Sequence, residues 1–312
     1  MGREESGQRF RRIAVVGAGA VGCYYGAHIA RNHSVTFLMR RDLEAVRRNG
    51  LRIFSPDGEI YLEEVEVSGS TEKIGPVDLV IIAVKTTANA ELPDLIRPLV
   101  QDDTVLLTLQ NGLGNEEFLQ EYFPDQAVLG GLCFVCINRG APGEIHHLAH
   151  GLVEMGEFTN TGVLDDVVSL FANSGLPVSS LPDMGLARWR KLIWNVPFNG
   201  LSIAGGGIDT RQILSDPKLV ARTRRLMSEV ILTASRLGYF IDPAFAEKNI
   251  ENTLQMGPYK PSSLIDFLNG QAVEVEAIWG EPLRRAGSVG AETPDLELLY
   301  HEICEAVENR SC

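Results

Sequence analysis

Cysteine is scarce in this sequence: five residues in 312, at Cys23, Cys133, Cys136, Cys304 and Cys312. The odd number and the length of the chain exclude a disulfide framework as the main source of stability. One pair, Cys133 and Cys136, has CxxC spacing. It lies inside the apolar run VLGGLCFVCI, and no second CxxC completes a zinc site. Both are read as buried strand cysteines. Long hydrophobic runs are also missing: none reaches the roughly 20 residues that span a bilayer. The opening MGREESGQRFRR lacks the apolar core of a signal peptide. Residues 1–10 read as a flexible lead-in, and the cytoplasm is the expected location. Positive charge is short as well, 28 Lys and Arg against 41 Asp and Glu, for a net charge of −13. That sign excludes a general nucleic-acid binder, whose affinity rests on neutralising phosphates, and disfavours an anionic membrane surface. An anionic ligand must therefore be held by a local positive site.

What is present is ordinary for a globular chain with a core: 45% hydrophobic and 22% charged residues. From Arg12 onward strand-like and helix-like segments alternate. RRIAVVGAG, SVTFLMR, VDLVIIAVK and TVLLTLQ read as strands, with helical spacing between them. LRIFS and EIYLEEVEV flank a PDG turn and read as a hairpin. AVLGGLCFVCI is a further strand, EIHHLAHGLVEMGE reads as two short strands, and LDDVVSLFANSG as a helix. This alternation predicts an α/β fold with a mostly parallel, doubly wound sheet of Rossmann type. Strands stop near Asp183. GLARWRKLIWNVPFNGLSIA, KLVARTRRLMSEVILTASRLG, AEKNIENTLQM and AVEVEAIWGEPLRRAG all read as helices. The expected division is a nucleotide-binding domain over 1–182 and an all-α domain over 183–312 for substrate binding and dimerisation. A homodimer through the helical domain is compatible with the sequence, which does not set the oligomeric state.

Gly17-Ala18-Gly19-Ala20-Val21-Gly22 is GxGxxG, following the first strand and opening the first helix. Gly17 allows a tight turn, Gly19 lets the backbone approach a pyrophosphate, and Gly22 lets helix pack on strand. The helix N-terminus then offers unpaired N–H groups to the anion. The second strand ends at Arg40, where an NAD enzyme usually carries a ribose-binding carboxylate. A guanidinium suits a 2′-phosphate, so the expected cofactor is NADP. Lys85 and Asn111 follow two further strands, on the edge where such sheets bind ligands. The plainer readings are a surface lysine and a turn-forming asparagine.

In RWRKLIWNVPFNG, Lys191, Asn195 and Asn199 are spaced four apart and share one helix face. Leu192, Ile193, Trp194, Val196 and Phe198 should pack in the core, and Pro197 should kink the helix. A solvated face seldom consists of a lysine and two asparagines, so the stripe reads as a site. Ser262 or Ser263 could cap a helix with Asp266 three or four residues on, and Glu274 alone reads as a surface carboxylate. His146, His147 and His150 sit on a strand, where successive side chains alternate. They do not form one metal-binding face, and no metal site is expected.

Taken in order, GAGAVG, Arg40, VKT at Val84–Thr86, QNGLGN at Gln110–Asn115, RKLIWNVPFN at Arg190–Asn199 and PSSLID…VEVEAI at Pro261–Ile278 resemble the ketopantoate reductase family. The resemblance runs from Ile13 to about Glu305. It implies NADPH-dependent reduction of a 2-keto acid, ketopantoate to pantoate. It implies Lys191 as general acid, with Glu274 beside that lysine and the nicotinamide ribose. It further implies that Asn195, Asn199 and Ser262 hold the keto acid, that Asn111 reaches nicotinamide and substrate, that Lys85 lies near the cofactor ribose, and that Arg40 binds the 2′-phosphate. The sequence departs from the family at Ala88, where glutamine is frequent, and at Tyr259 and Asp209, where asparagine is frequent. Those departures leave open reduction of another keto acid or an imine. A non-catalytic NADP-binding sensor is the reading from a different class.

Overall fold

The computed structural model describes residues 9–310. The lead-in expected over residues 1–10 lies almost wholly outside the described residues. Its last residue corrects that reading, because Phe10 is only 3% exposed and packs into the core. The chain divides into two compact units. One comprises 1–110 and 115–184, the other 111–114 and 185–312.

The first unit is built on a ten-stranded sheet. In chain order its elements are β1 (Arg12–Val16), α1 (Ala20–Ala30), β2 (Ser34–Leu38), α2 (Leu43–Asn49), β3 (Leu51–Phe54), β4 (Ile60–Leu62), β5 (Glu66–Ser68), β6 (Leu79–Ile82), α3 (Leu92–Ile96), β7 (Val105–Thr108), α4 (Asn115–Tyr122), β8 (Ala127–Arg139), β9 (Glu144–Glu157), α5 (Leu164–Asn173) and β10 (Val178–Ser180). The strand order is β4-β3-β9-β8-β7-β6-β1-β2-β5, with β10 beside β9. From β5 to β8 every neighbouring pair is parallel. The central strands are apolar throughout because both faces are covered. Ile13, Val15, Leu79, Ile81, Val105 and Leu107 pack into one cluster. The alternating Ala14, Val16, Val80, Ile82 and Leu106 pack into another.

Three expectations change here. EIYLEEVEV is not one hairpin arm: β4 pairs antiparallel with β3, and β5 crosses to the far edge to pair with β2. Local alternation cannot distinguish one strand from two short ones on opposite edges. EIHHLAHGLVEMGE is one strand, β9, paired antiparallel with β8 along its length. The pairing steps over Gly151, and His150 takes a left-handed φ of 68°. The bulge breaks the two-residue period, which made one strand look like two. Cys133 and Cys136 are half-buried rather than buried.

The second unit is helical: α6 (Met184–Ala204, its first residue counted with the sheet unit), α7 (Thr210–Ser215), α8 (Pro217–Arg236), α9 (Ala244–Met256), α10 (Ser262–Leu268), a π-helical turn (Glu276–Gly280), α11 (Glu281–Ser288) and α12 (Pro294–Arg310). AVEVEAIWGEPLRRAG was expected to be helical throughout. The helix instead begins at Val275 with the π turn, leaving Glu274 just outside it. The core gathers Trp189, Ile193, Val196 and Phe198 of α6 with Leu226 and Val230 of α8 and Trp279 of the π turn. The Glu229 carboxylate accepts from the N–H groups of Asp295 and Leu296, capping α12 from another helix. Burial raises its pKa above the ordinary carboxylate value. Among the described residues no helix is long and apolar enough to cross a membrane.

Candidate functional site

In the first unit the ends of four parallel strands are level. Val16 lies opposite Leu38 and Ile82, and Ile82 opposite Thr108. β1 has β2 on one side and β6 on the other, so chain order reverses at β1, the place where open α/β sheets bind ligands. Gly17 follows β1 with φ of 104°, and a Cβ there would lie 2.3 Å from the backbone nitrogen of Val84. Only glycine fits on both counts. At Gly22 a Cβ would meet the Gly17 carbonyl at 2.2 Å. Gly19 differs: a Cβ there would meet nothing within 4 Å. It is the N-cap of α1, which has no side-chain cap and no acidic residue in its first turn. The first turn thus presents unpaired N–H groups beside open space, the arrangement a pyrophosphate fits. The half-buried Ala18, Ala20 and Val21 complete the loop.

Arg40 and Arg41 follow β2 and are exposed, and among the described residues neither is ion-paired. The next acidic residue, Asp42, is engaged by Arg139. Lys85 is half-buried and precedes a 3-10 turn over Thr86–Glu91. A partly buried amide network lies beyond β7. The Gln110 Nε2 donates to Asn89 Oδ1 at 2.8 Å, and Asn89 Nδ2 to Asn115 Oδ1 at 3.3 Å. Gln110 and Asn115 bracket the segment 111–114. Sequence reasoning passed over them as part of a motif; the signal was polar residues beside an apolar strand.

In the second unit the middle of α6 and three other pieces of chain come together. The segment 111–114 belongs here: the Leu113 N–H donates to the Ala277 carbonyl at 2.9 Å. Gly112, at φ of 84°, lies so close that a Cβ would meet that carbonyl oxygen at 2.3 Å. Asn111 is thereby held near the π turn that Glu274 precedes. Trp279 of that turn donates through Nε1 to the Val196 carbonyl at 2.9 Å. On the α10 side, Ser263 N–H donates to Asn199 Oδ1, also at 2.9 Å. π turns often mark functional positions.

The polar stripe of α6 does not face solvent. Lys191 is half-buried, Asn195 is 7% exposed and Asn199 is 1% exposed. Leu192, Ile193, Val196 and Phe198 are buried, while Trp194 is half-buried and donates through Nε1 to Thr253 Oγ1 at 2.9 Å. The helix runs on through Pro197. Ser262 is exposed and Glu274 half-buried. The cap expected at Ser262 or Ser263 is corrected: both lie inside α10, whose N-cap is Pro261, with no cap from its own side chain.

Residues 13–160 match the family model for ketopantoate reductase PanE/ApbA, and residues 183–306 match the model for its C-terminal domain. The chain belongs to the ketopantoate reductase family. A 2-dehydropantoate 2-reductase of Nostoc sp. is 38% identical over 301 residues, covering 94% of each chain. The crystal structure of a 2-dehydropantoate 2-reductase from Geobacter metallireducens is 42% identical, with a TM-score of 0.91 over 95% of this chain and 99% of that one. D-mandelate dehydrogenase, solved with NADH and anilino(oxo)acetate, has a TM-score of 0.88 over 96% of this chain and 98% of its own. At 19% identity that likeness shows the fold alone.

The three departures from the family pattern have visible surroundings. Asp209 is the N-cap of α7: its carboxylate accepts from the Gln212 N–H at 2.9 Å, and the Gln212 side chain accepts from the Asp209 N–H at 3.0 Å. That capping box gives the carboxylate a structural use. The Tyr259 carbonyl accepts from the Thr210 N–H at 3.0 Å, its own N–H donates to Thr210 Oγ1 at 3.1 Å, and its ring centroid lies 6.1 Å from that of Trp194. Ala88 sits in the 3-10 turn, its N–H donating to the Lys85 carbonyl at 2.9 Å. The histidines of β9 are engaged in the fold. Ser55 Oγ and His147 Nδ1 are 2.8 Å apart, His147 Nε2 lies 3.2 Å from the His150 carbonyl, and His146 stacks on Phe54. Among the described residues no three metal-ligating side chains gather at one point.

Proposed function

We propose that this protein reduces ketopantoate to pantoate with NADPH, and that its two units divide the work. The first unit binds the dinucleotide. Gly17–Gly22 cradle the pyrophosphate at the start of α1, Arg40 pairs with the 2′-phosphate, and Lys85 lies near the ribose. The observation that carries the cofactor part is the open face at Gly19 beside an uncapped helix. Bound NADPH supplies the hydride that goes to the keto carbon.

The second unit handles the acid. Negative charge develops on the keto oxygen as its carbon is reduced. The Lys191 ammonium stabilises that charge and donates the proton, leaving a hydroxyl and a neutral amine. Glu274 favours the charged lysine. Asn111 and Asn195 orient the substrate, and Ser262 binds its carboxylate. Partial burial around Lys191 and Asn195 strengthens these interactions relative to water. The polar stripe of α6 supports this reading over a non-catalytic NADP-binding sensor, since a sensor has no use for a half-buried lysine in line with two buried asparagines.

Steady-state oxidation of NADPH with ketopantoate, beside a panel of other 2-keto acids and cyclic imines, is the deciding experiment. Ketopantoate is expected to have the highest kcat/KM. A higher value for another acid reassigns the substrate, and NADPH binding without turnover on any of them supports the sensor.

A further inference from the structure

We infer that Arg139 is a positioning residue for cofactor choice: by pairing with Asp42 it keeps that carboxylate from competing with the 2′-phosphate for Arg40 and Arg41. The inference rests on the reading that Arg40 receives that phosphate; the ion pair rests on geometry alone. Asp42 stands two residues after Arg40, and two residues of extended chain span at most about 7 Å. A carboxylate in that range attracts the same guanidinium groups that a phosphate needs, and repels the phosphate itself. Asp42 also has a local use open to it, because it is the N-cap of α2. Neither occurs in the structure. The Asp42 side chain makes no cap bond, and among the described residues Arg40 and Arg41 form no ion pair. Its partner is Arg139, the last residue of β8 and 97 residues away, whose Nη2 donates to Asp42 Oδ2. The same oxygen accepts from the Gly143 N–H at 3.5 Å, in the turn between β8 and β9.

The pair lies close to the phosphate loop. Cys23 follows Gly22 on α1 and is 3% exposed. Burial pushes its thiol up to about 12; the Arg139 charge opposes that rise and the Asp42 charge adds to it. Both charges are thus felt one residue beyond the glycine motif. Their side chains are 33% and 20% exposed, so salt and water screen them less than a surface pair. Arginine suits the task because its charge persists at every working pH. Without Arg139 a partly buried carboxylate is left uncompensated, and Arg40 and Arg41 become partners open to it. A chain of net charge −13 has little general positive field to offset that loss.

The test measures dissociation constants of NADPH and NADH by fluorescence titration of the cofactor-free protein, so it needs no turnover. It compares wild type with Arg139→Gln, Arg139→Lys, Asp42→Asn and the double variant Arg139→Gln with Asp42→Asn. Arg139→Gln should weaken NADPH binding about fivefold and NADH binding by less than about twofold. The ratio of variant to wild type for NADPH should shrink as salt is raised from about 0.05 M to about 0.5 M. Lysine keeps the charge and should stay within about twofold of wild type. Asp42→Asn leaves Arg139 charged and should bind NADPH about threefold more tightly. The double variant has neither charge and should return to within about twofold of wild type. If Arg139 instead touches the phosphate itself, removing Asp42 does not rescue its loss and the double variant stays weak. That result, equal weakening of both cofactors in Arg139→Gln, lysine behaving as glutamine, or no gain in Asp42→Asn overturns the inference. If Arg139→Gln does not fold, the gain or its absence in Asp42→Asn decides. A wild type that binds NADH as tightly as NADPH overturns the cofactor reading and the inference together. A wild type that prefers NADPH, with Arg139→Gln keeping the same preference, overturns the inference alone.

Discussion

The glycine loop of the first unit and the polar helix of the second carry chemistry in opposite ways. The loop is contiguous: six residues, one turn and the start of α1 make it, with Gly17 and Gly22 required by close backbone approach and Gly19 facing open space. The helical site is assembled from segment 111–114, α6, the start of α10 and the residues before the π turn. Its residues depend on tertiary hydrogen bonds for their positions. A contiguous site can be recognised from one motif. An assembled one divides its residues into those that present chemistry and those that hold the others, and only contacts distinguish the two kinds.

The largest effect expected is at Lys191. Alanine there should lower kcat with ketopantoate by about 10²–10⁴-fold, the usual contribution of a general acid, with thermal stability little changed. A loss below tenfold removes Lys191 from that role. Arg40→Ala tests the contiguous site. Losing charge-assisted bonds to a phosphate should weaken NADPH binding by about 1.5–3 kcal/mol and leave NADH binding unchanged. Equal weakening of both cofactors would mean that Arg40 does not read the 2′-phosphate.

Two glycines two residues apart sharpen the comparison within the loop. Gly17→Ala forces a left-handed φ and a backbone collision on the new methyl group, and should cost about 1–3 kcal/mol of stability in denaturant titration. Gly19→Ala meets open space, so stability should hold within about 0.5 kcal/mol while NADPH affinity falls. If Gly19→Ala binds NADPH normally, the open face is not the pyrophosphate site.

The smallest effect lies beside the π turn. Hydrogen bonds from Arg284 and Tyr300 hold the Glu276 carboxyl below its ordinary pKa of 4.5. A depressed folded-state value means that the stabilisation is present above about pH 4.5 and is lost as pH falls through the folded pKa. Because the pair is exposed, the contribution should stay under about 1 kcal/mol. Glu276→Gln should therefore lower the melting temperature slightly at neutral pH and flatten its decline in acid. A parallel decline in both proteins would show that this carboxylate is not linked to folding.

Most of the sheet was legible because its central strands are uninterrupted apolar runs between glycine turns. β5 and β9 were not. A three-residue edge strand has too few residues for a periodicity, and a bulge at Gly151 breaks one. The stripe of Lys191, Asn195 and Asn199 was visible as a helical spacing. Its burial was not, since spacing identifies a face without saying what covers it. The serines of α10 looked like caps because cap preferences are local statistics, whereas the acceptor came from another helix.

By itself the sequence determined the order of elements, the phosphate loop, the arginine after β2 and the family, all of which reside in contiguous runs or in an ordered set of short motifs. The tertiary structure alone decided which side chain satisfies each buried backbone group. Asp209 caps α7 and Asn199 Oδ1 accepts from the Ser263 N–H at the start of α10, while Ser262 remains exposed. The physical reason is that a backbone N–H at a helix start needs an acceptor, and which side chain supplies it depends on how distant segments pack.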